Sequence, residues 1–208
     1  TGKKWKWKFM KDFLLVSLIG FLVGWLILPT AANLGLKISP TLILLSVFSF
    51  TFLAPLLLAI IYYFGRFWPG LRQFGKFCAV GTLNTLLGFS VLNLLMYFTG
   101  ITRGYFYSLF LVLAFLVSVT NSYFWNKFWS FQSQTPASPS EFSRFLFFTF
   151  IGLLINNAVA SFLNNVVGPL GGIKPIIWAN ISAFLAIAVS FLWNFFSYRF
   201  LIFKKTQT

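Results

Sequence analysis

The sequence predicts an all-α polytopic membrane protein with six transmembrane helices, the last four forming two parallel two-helix repeats. Three observations predict it. Hydrophobic residues make up 59% of the 208 and charged residues 9%, so the chain cannot cover a soluble domain with polar surface. The apolar residues fall in runs of about 20, the length that crosses a ~30 Å hydrocarbon core. Runs such as 41–64 do not alternate in polarity, so they are helices and not barrel strands.

The elements follow in order. Residues 1–11, TGKKWKWKFMK, interleave lysine with tryptophan and suit the headgroup zone. The chain opens on Thr1, which implies trimming or truncation of something longer. Span one covers 13–28 and stops at Pro29. Its basic start and the small residues Thr30, Ala31 and Ala32 fit a signal peptide, but a retained span is the preferred reading. Span two covers 41–64, with a kink expected at Pro55. Spans three and four cover 77–98 and 105–125. QSQTPASPSEFS, residues 132–143, is the one clear polar linker. Span five covers 145–166, the GPLGG turn follows at 168–172, and span six covers 175–198.

Charge orients the chain. With the N-terminus inside, Lys37, Arg103 and Lys174 lie outside, and the other thirteen of the 16 Lys and Arg lie in the cytoplasm. That asymmetry is the positive-inside pattern and places both termini in the cytoplasm. It also accounts for the net charge of +14 without nucleic acid.

Composition excludes whole classes of chemistry. There is no histidine, one cysteine (Cys78) and two acidic residues, Asp12 and Glu141. No catalytic residue, metal site or cofactor is expected from such a set. Both acidic residues are read as belonging to polar flanks. An embedded carboxylate for proton coupling or cation transport is therefore not expected.

The chain repeats itself. SVTNSYFWNKFWSF (118–131) parallels SFLWNFFSYRFLIF (190–203) at a constant offset of 72. Ser118 meets Ser190, Ser122 meets Asn194, Asn126 meets Tyr198, and Lys127 meets Arg199. The polar positions step by four, so each set is one stripe on one helix face, ending in a cation. FGKFCAVGTLNT from Phe74 parallels FLFFTFIGLLIN from Phe145 more loosely. Each repeat holds two spans, and an even number of spans gives parallel repeats.

Two sets of candidate residues emerge. Arg72, Lys76, Lys127, Arg199 and Arg144 are cations at the cytoplasmic edge that suit a phosphate. Asn84, Ser118, Asn121, Ser122, Asn126, Asn156, Asn157, Ser161, Asn194 and Tyr198 are polar groups within spans that suit sugar hydroxyls in an internal cavity. The competing readings are snorkelling cations and interhelical hydrogen bonds.

RQFGKFCAVGTLNTLLGF, NKFWSF at 126–131, SRFLFFTFIGLLIN and YRFLIF at 198–203 resemble the GtrA-like family of small polytopic membrane proteins. The resemblance spans residues 72–203, so the chain divides into a basic segment with two helices (1–70) and a GtrA-like four-helix domain (71–208). It implies a flippase for a polyprenyl-phosphate-linked monosaccharide in the inner membrane of a prokaryote, serving cell-envelope glycosylation. The alternative it admits is a non-transporting scaffold or anchor that recruits a polyprenyl-phosphate glycosyltransferase. The partners expected are the lipid-linked sugar, membrane lipids, a glycosyltransferase and a second copy of the chain; nucleic acid is not expected.

Overall fold

A computed structural model describes residues 2–203, except for the side chains of 2–6, 8, 69, 175–177 and 180. Its elements are α1 (Gly2–Leu26), α2 (Leu28–Asn33), α3 (Pro40–Phe64), α4 (Pro69–Thr99), α5 (Tyr105–Trp125), α6 (Pro139–Ser161) and α7 (Pro175–Ser197). Three π-helical turns, Asn126–Ser130, Phe162–Val167 and Tyr198–Ile202, extend α5, α6 and α7. Among the described residues, six stretches are long and apolar enough to cross a membrane: Phe9–Asn33, Pro40–Phe64, Gly70–Thr99, Tyr105–Ser130, Pro139–Val167 and Ile181–Ile202. The protein is thus all-α and multi-pass, as its composition predicts.

The helix ends follow from local chemistry. Proline opens α3, α4, α6 and α7, where its missing N–H costs nothing. Ser39 and Ser138 cap α3 and α6, each Oγ accepting a backbone N–H three residues on, at 3.2 Å. Gly100 ends α4 in the left-handed region, which glycine enters without penalty. The α3 helix continues through Pro55. The first span differs most from expectation. It begins by Phe9 and passes Pro29, which sits in the first turn of the short α2 and does not end the span.

The chain packs as two compact units, 1–130 and 131–208. In the first unit, α1 lies against α3 and α4, and α5 returns along α4. Its core holds Val16, Ile19, Val23, Leu58, Tyr62, Val80, Leu83 and Trp129. Gly20 and Gly24 make the α1–α3 seam. A Cβ on Gly20 would sit 2.1 Å from the Phe50 carbonyl oxygen, and one on Gly24 would sit 2.5 Å from Val47 Cα. Only hydrogen side chains permit that approach, the small-xxx-small device of membrane helices. At one end of the unit, Asn33 Nδ2 donates to Asn93 Oδ1 (2.8 Å), and Asn93 Nδ2 donates to Thr30 Oγ1 (3.1 Å).

The second unit is the α6–α7 hairpin with its π turns. Phe145 and Tyr198 pack with centroids 4.5 Å apart, and Phe131 stacks on Phe203 at 5.5 Å. Trp193 Nε1 donates to the Phe148 carbonyl (3.1 Å), and Trp178 Nε1 donates to the Leu163 carbonyl (2.9 Å). These bonds satisfy indole N–H groups that lipid cannot.

The repeat recurs in the backbone itself. The π turns Asn126–Ser130 and Tyr198–Ile202 lie 72 residues apart, the offset of the sequence match. Phe124 stacks on Phe128 at 6.2 Å, and Phe196 stacks on Phe200 at 6.1 Å. Asn126 and Tyr198 are both buried, as are Phe131 and Phe203. The π turn Phe162–Val167 has no such counterpart: the corresponding end of α4 stays α-helical to Thr99.

Candidate functional site

In the first unit, three helices and a π turn converge on one carboxylate. Asp12 of α1 is 2% exposed and lies within the span Phe9–Asn33. Lys76 Nζ of α4 stands 2.5 Å from its Oδ2, and both side chains are buried. The Tyr62 hydroxyl of α3 donates to the same oxygen. Trp129 Nε1, from the π turn after α5, donates to Oδ1 at 2.9 Å. Lys76 also lies over the Trp129 ring, 5.5 Å from its centroid. A buried charge persists only when paired and hydrogen-bonded, and here both conditions hold.

This corrects the placement of Asp12 in a polar flank: it is buried among helices, against Tyr62, Lys76 and Trp129. Glu141 is buried within its polar linker, in the first turn of α6, and accepts from Thr135 Oγ1 at 3.0 Å. The sequence argument that no carboxylate is buried among the spans therefore does not hold for Asp12. What stands in its place is charge balance: the carboxylate is neutralised by Lys76.

The predicted phosphate ligands divide. Lys76 is the partner of Asp12, and Lys127 is buried completely (0%). Arg72 is half-buried, its guanidinium carbon 5.3 Å from the Tyr62 ring centroid and its Nε buried with no acceptor in the protein. Arg199 is half-buried over Phe200 at 5.3 Å, and Arg144 is exposed. Arg72 and Lys76 come together around Tyr62 and Asp12.

The polar stripes are partly paired. Asn121 Nδ2 donates to Asn84 Oδ1 at 2.7 Å, joining α4 to α5. Asn126 Nδ2 donates to Ser122 Oγ at 3.2 Å, leaving Asn126 Oδ1 buried without a partner. Ser118 Oγ and Ser130 Oγ are likewise buried and unpartnered, and Ser118 packs where a Cβ on Gly88 would meet it at 2.8 Å. In the second unit, Tyr198 bonds Thr149 Oγ1 through its hydroxyl at 2.6 Å. Asn194 Oδ1 is buried without a partner, against Gly152, where an added Cβ would lie 2.4 Å away.

Span five behaves differently from a cavity wall. Asn157 and Ser161 are exposed, and Asn157 Nδ2 donates back to the Leu153 carbonyl at 3.2 Å. Ser161 Oγ accepts from Asn165 Nδ2 at 3.0 Å, and Asn156 is half-buried. Asp12, Tyr62 and Trp129 are the residues that sequence reasoning missed. One signal was available: the Gly20–x–x–x–Gly24 spacing marks α1 as a helix that packs tightly on another.

Residues 76–203 match the GtrA/DPMS transmembrane domain. An uncharacterized membrane protein of Bacillus subtilis (strain 168), YngA, is 35% identical over 89 residues, 41% of this chain. The matched stretch spans 57% of the length of that relative. No solved structure matches the chain.

Proposed function

This chain belongs to the GtrA/DPMS transmembrane-domain family over residues 76–203, and from that premise we propose that it translocates a polyprenyl-phosphate-linked monosaccharide across the cytoplasmic membrane for cell-envelope glycosylation. The observation that carries the reading is the set of buried polar atoms with no partner in the protein: Ser118 Oγ and Asn126 Oδ1 in the first copy of the repeat, Asn194 Oδ1 in the second. Each such atom costs the closed packing about 1–3 kcal/mol. A sugar rich in hydroxyls recovers that cost when it passes between the helices.

Both stripes run toward a cation, Lys127 or Arg199. Either offers an anionic headgroup a counter-charge in a region of low dielectric. Lys127 has no exposed surface here, so an anion reaches it only when the helices part. The π turns that carry both cations are the natural place for that parting, because π-helical hydrogen bonding is the less regular backbone and recurs at functional sites. The prenyl chain stays in lipid throughout. The positive-inside pattern puts the cationic end in the cytoplasm, where the loaded lipid starts, and consumption on the far side draws the flow outward.

The test is a leaflet-exchange assay in liposomes with labelled lipid-linked sugar. Exchange above that of empty liposomes is expected, falling at least about tenfold in Lys127→Gln and Arg199→Gln, the loss of one charge-assisted phosphate contact. Exchange equal to that of empty liposomes overturns the reading. Unaltered function in both variants, together with co-purification of a glycosyltransferase, supports the scaffold instead.

A further inference from the structure

Arg72 stands out among the cations of the first unit. Its Nε is buried without an acceptor, because the side-chain stem lies against Gly65, where a Cβ would meet Arg72 Cγ at 2.6 Å. Its guanidinium faces the Tyr62 ring, and Tyr62 is fixed by Asp12, which is itself fixed by Lys76 and Trp129. The arginine is therefore held in place without being neutralised. Among the described residues, two cations, Arg72 and Lys76, and one carboxylate, Asp12, stand around Tyr62, which leaves one positive charge over at a half-buried position.

An apolar cavity of about 220 Å³ occupies the same seam between α1, α3 and α4. Val16, Gly20, Leu58, Ile61, Gly75 and Ala79 line it. Ile61 and Gly75 are the sequence neighbours of Tyr62 and Lys76, and Val16 is one helical turn from Asp12, so the cavity starts where the charged cluster ends. A cation with open hydrogen-bonding capacity beside a hydrocarbon-lined slot is a site for an amphiphile with an anionic head.

We propose that Arg72 and this slot form a second lipid site, one that holds a polyprenyl phosphate by its phosphoryl group and its first isoprene units. The proposal rests on the reading of the chain as a translocator of such lipids. It adds a site that lies mostly outside the family segment, built by α1 and α3 on the first turns of α4. Asp12, Lys76, Tyr62 and Trp129 are positioning residues here. Arg72 is the phosphate ligand, with a planar fork that takes two phosphoryl oxygens at once. The exchanged substrate would load from this site, or the spent carrier would return to it; both carry the same phosphate and the same tail.

Native mass spectrometry of the full chain, released from nanodiscs with added undecaprenyl phosphate or phosphatidylglycerol, tests this. Wild type is expected to retain the prenyl phosphate and shed phosphatidylglycerol. Arg72→Gln and the slot-filling Ala79→Leu should each cut the retained fraction at least about fivefold, the former through loss of a bidentate phosphate contact. Thermal melting of both variants at the wild-type temperature shows that they remain folded. Arg72→Lys should restore part of the retention, since it keeps charge but loses the fork. Equal retention of phosphatidylglycerol, or full retention in both variants, overturns the site. If retention instead falls only in Lys127→Gln or Arg199→Gln, this site is wrong and the translocator reading survives. If the chain retains no prenyl phosphate and the exchange assay is also blank, both fail.

Discussion

Asp12 and Lys76 meet at 2.5 Å, and with that contact the first helix of the chain grips the first residue of the segment that matches the family. Helices α1 and α3 are thereby built into the packing of α4, and Asp12 is buried against it.

Breaking that pair should be costly in a specific way. Asp12→Asn leaves the Lys76 ammonium buried without its counter-charge, a loss of about 3–5 kcal/mol by the usual measure of a broken buried pair. The double variant Asp12→Asn, Lys76→Met removes both charges and should recover most of the stability. Thermal unfolding in detergent, followed by size exclusion, reads the difference. Equal stability of the single and double variants would show that the pair is not a coupled unit.

The indole bond gives a graded version of the same test. Trp129→Phe keeps a ring beside Lys76 but removes the N–H donated to Asp12 at 2.9 Å. The expected loss is about 1.5–3 kcal/mol, the range for hydrogen bonds to a charged group. In the Asp12→Asn background the same change should cost less, and a double-mutant cycle measures that coupling.

Gly20 makes a packing prediction. Any side chain there collides with the Phe50 carbonyl. Gly20→Leu should separate α1 from α3 and destabilise the unit by about 1–3 kcal/mol or more, the cost of overpacking. A cysteine pair across the α1–α3 seam should crosslink in wild type and fail to do so in the variant.

Asn194 separates a functional polar group from a structural one. Its Oδ1 has no partner in the protein. Asn194→Leu should therefore keep or raise the melting temperature while lowering lipid exchange, since nothing in the fold depends on that oxygen. Tyr198→Phe is the contrast: it deletes a hydroxyl bonded to Thr149 at 2.6 Å and should cost about 1 kcal/mol of stability. A fall in melting temperature for Asn194→Leu equal to that of Tyr198→Phe would sink the distinction.

The six spans were legible because each is a local property, an apolar run of the right length. The stripe of Ser118, Ser122 and Asn126 was legible for a related reason: helical spacing and a repeat at fixed offset both live in short stretches of sequence. Asp12 was not. Its neighbours Met10, Lys11 and Phe13 look like a membrane flank, and its burial depends on Tyr62, Lys76 and Trp129, up to 117 residues away. No local pattern encodes that convergence. The same holds for Lys127, which has the spacing of a snorkelling cation and is instead fully enclosed, within the π turn that follows α5. Asn157 and Ser161 share a helix face as the spacing predicts, and that face is exposed.

The π turns at Asn126–Ser130 and Tyr198–Ile202 belong to the repeated unit itself. The first packs against α4 and the second against α6, in each case the helix that precedes its own in the chain. The same break from regular α geometry thus recurs wherever the two-span unit recurs, although Asn126 stands opposite Tyr198 where each turn begins. What the two copies share is the backbone irregularity and the cation it carries, not the side chain that opens it.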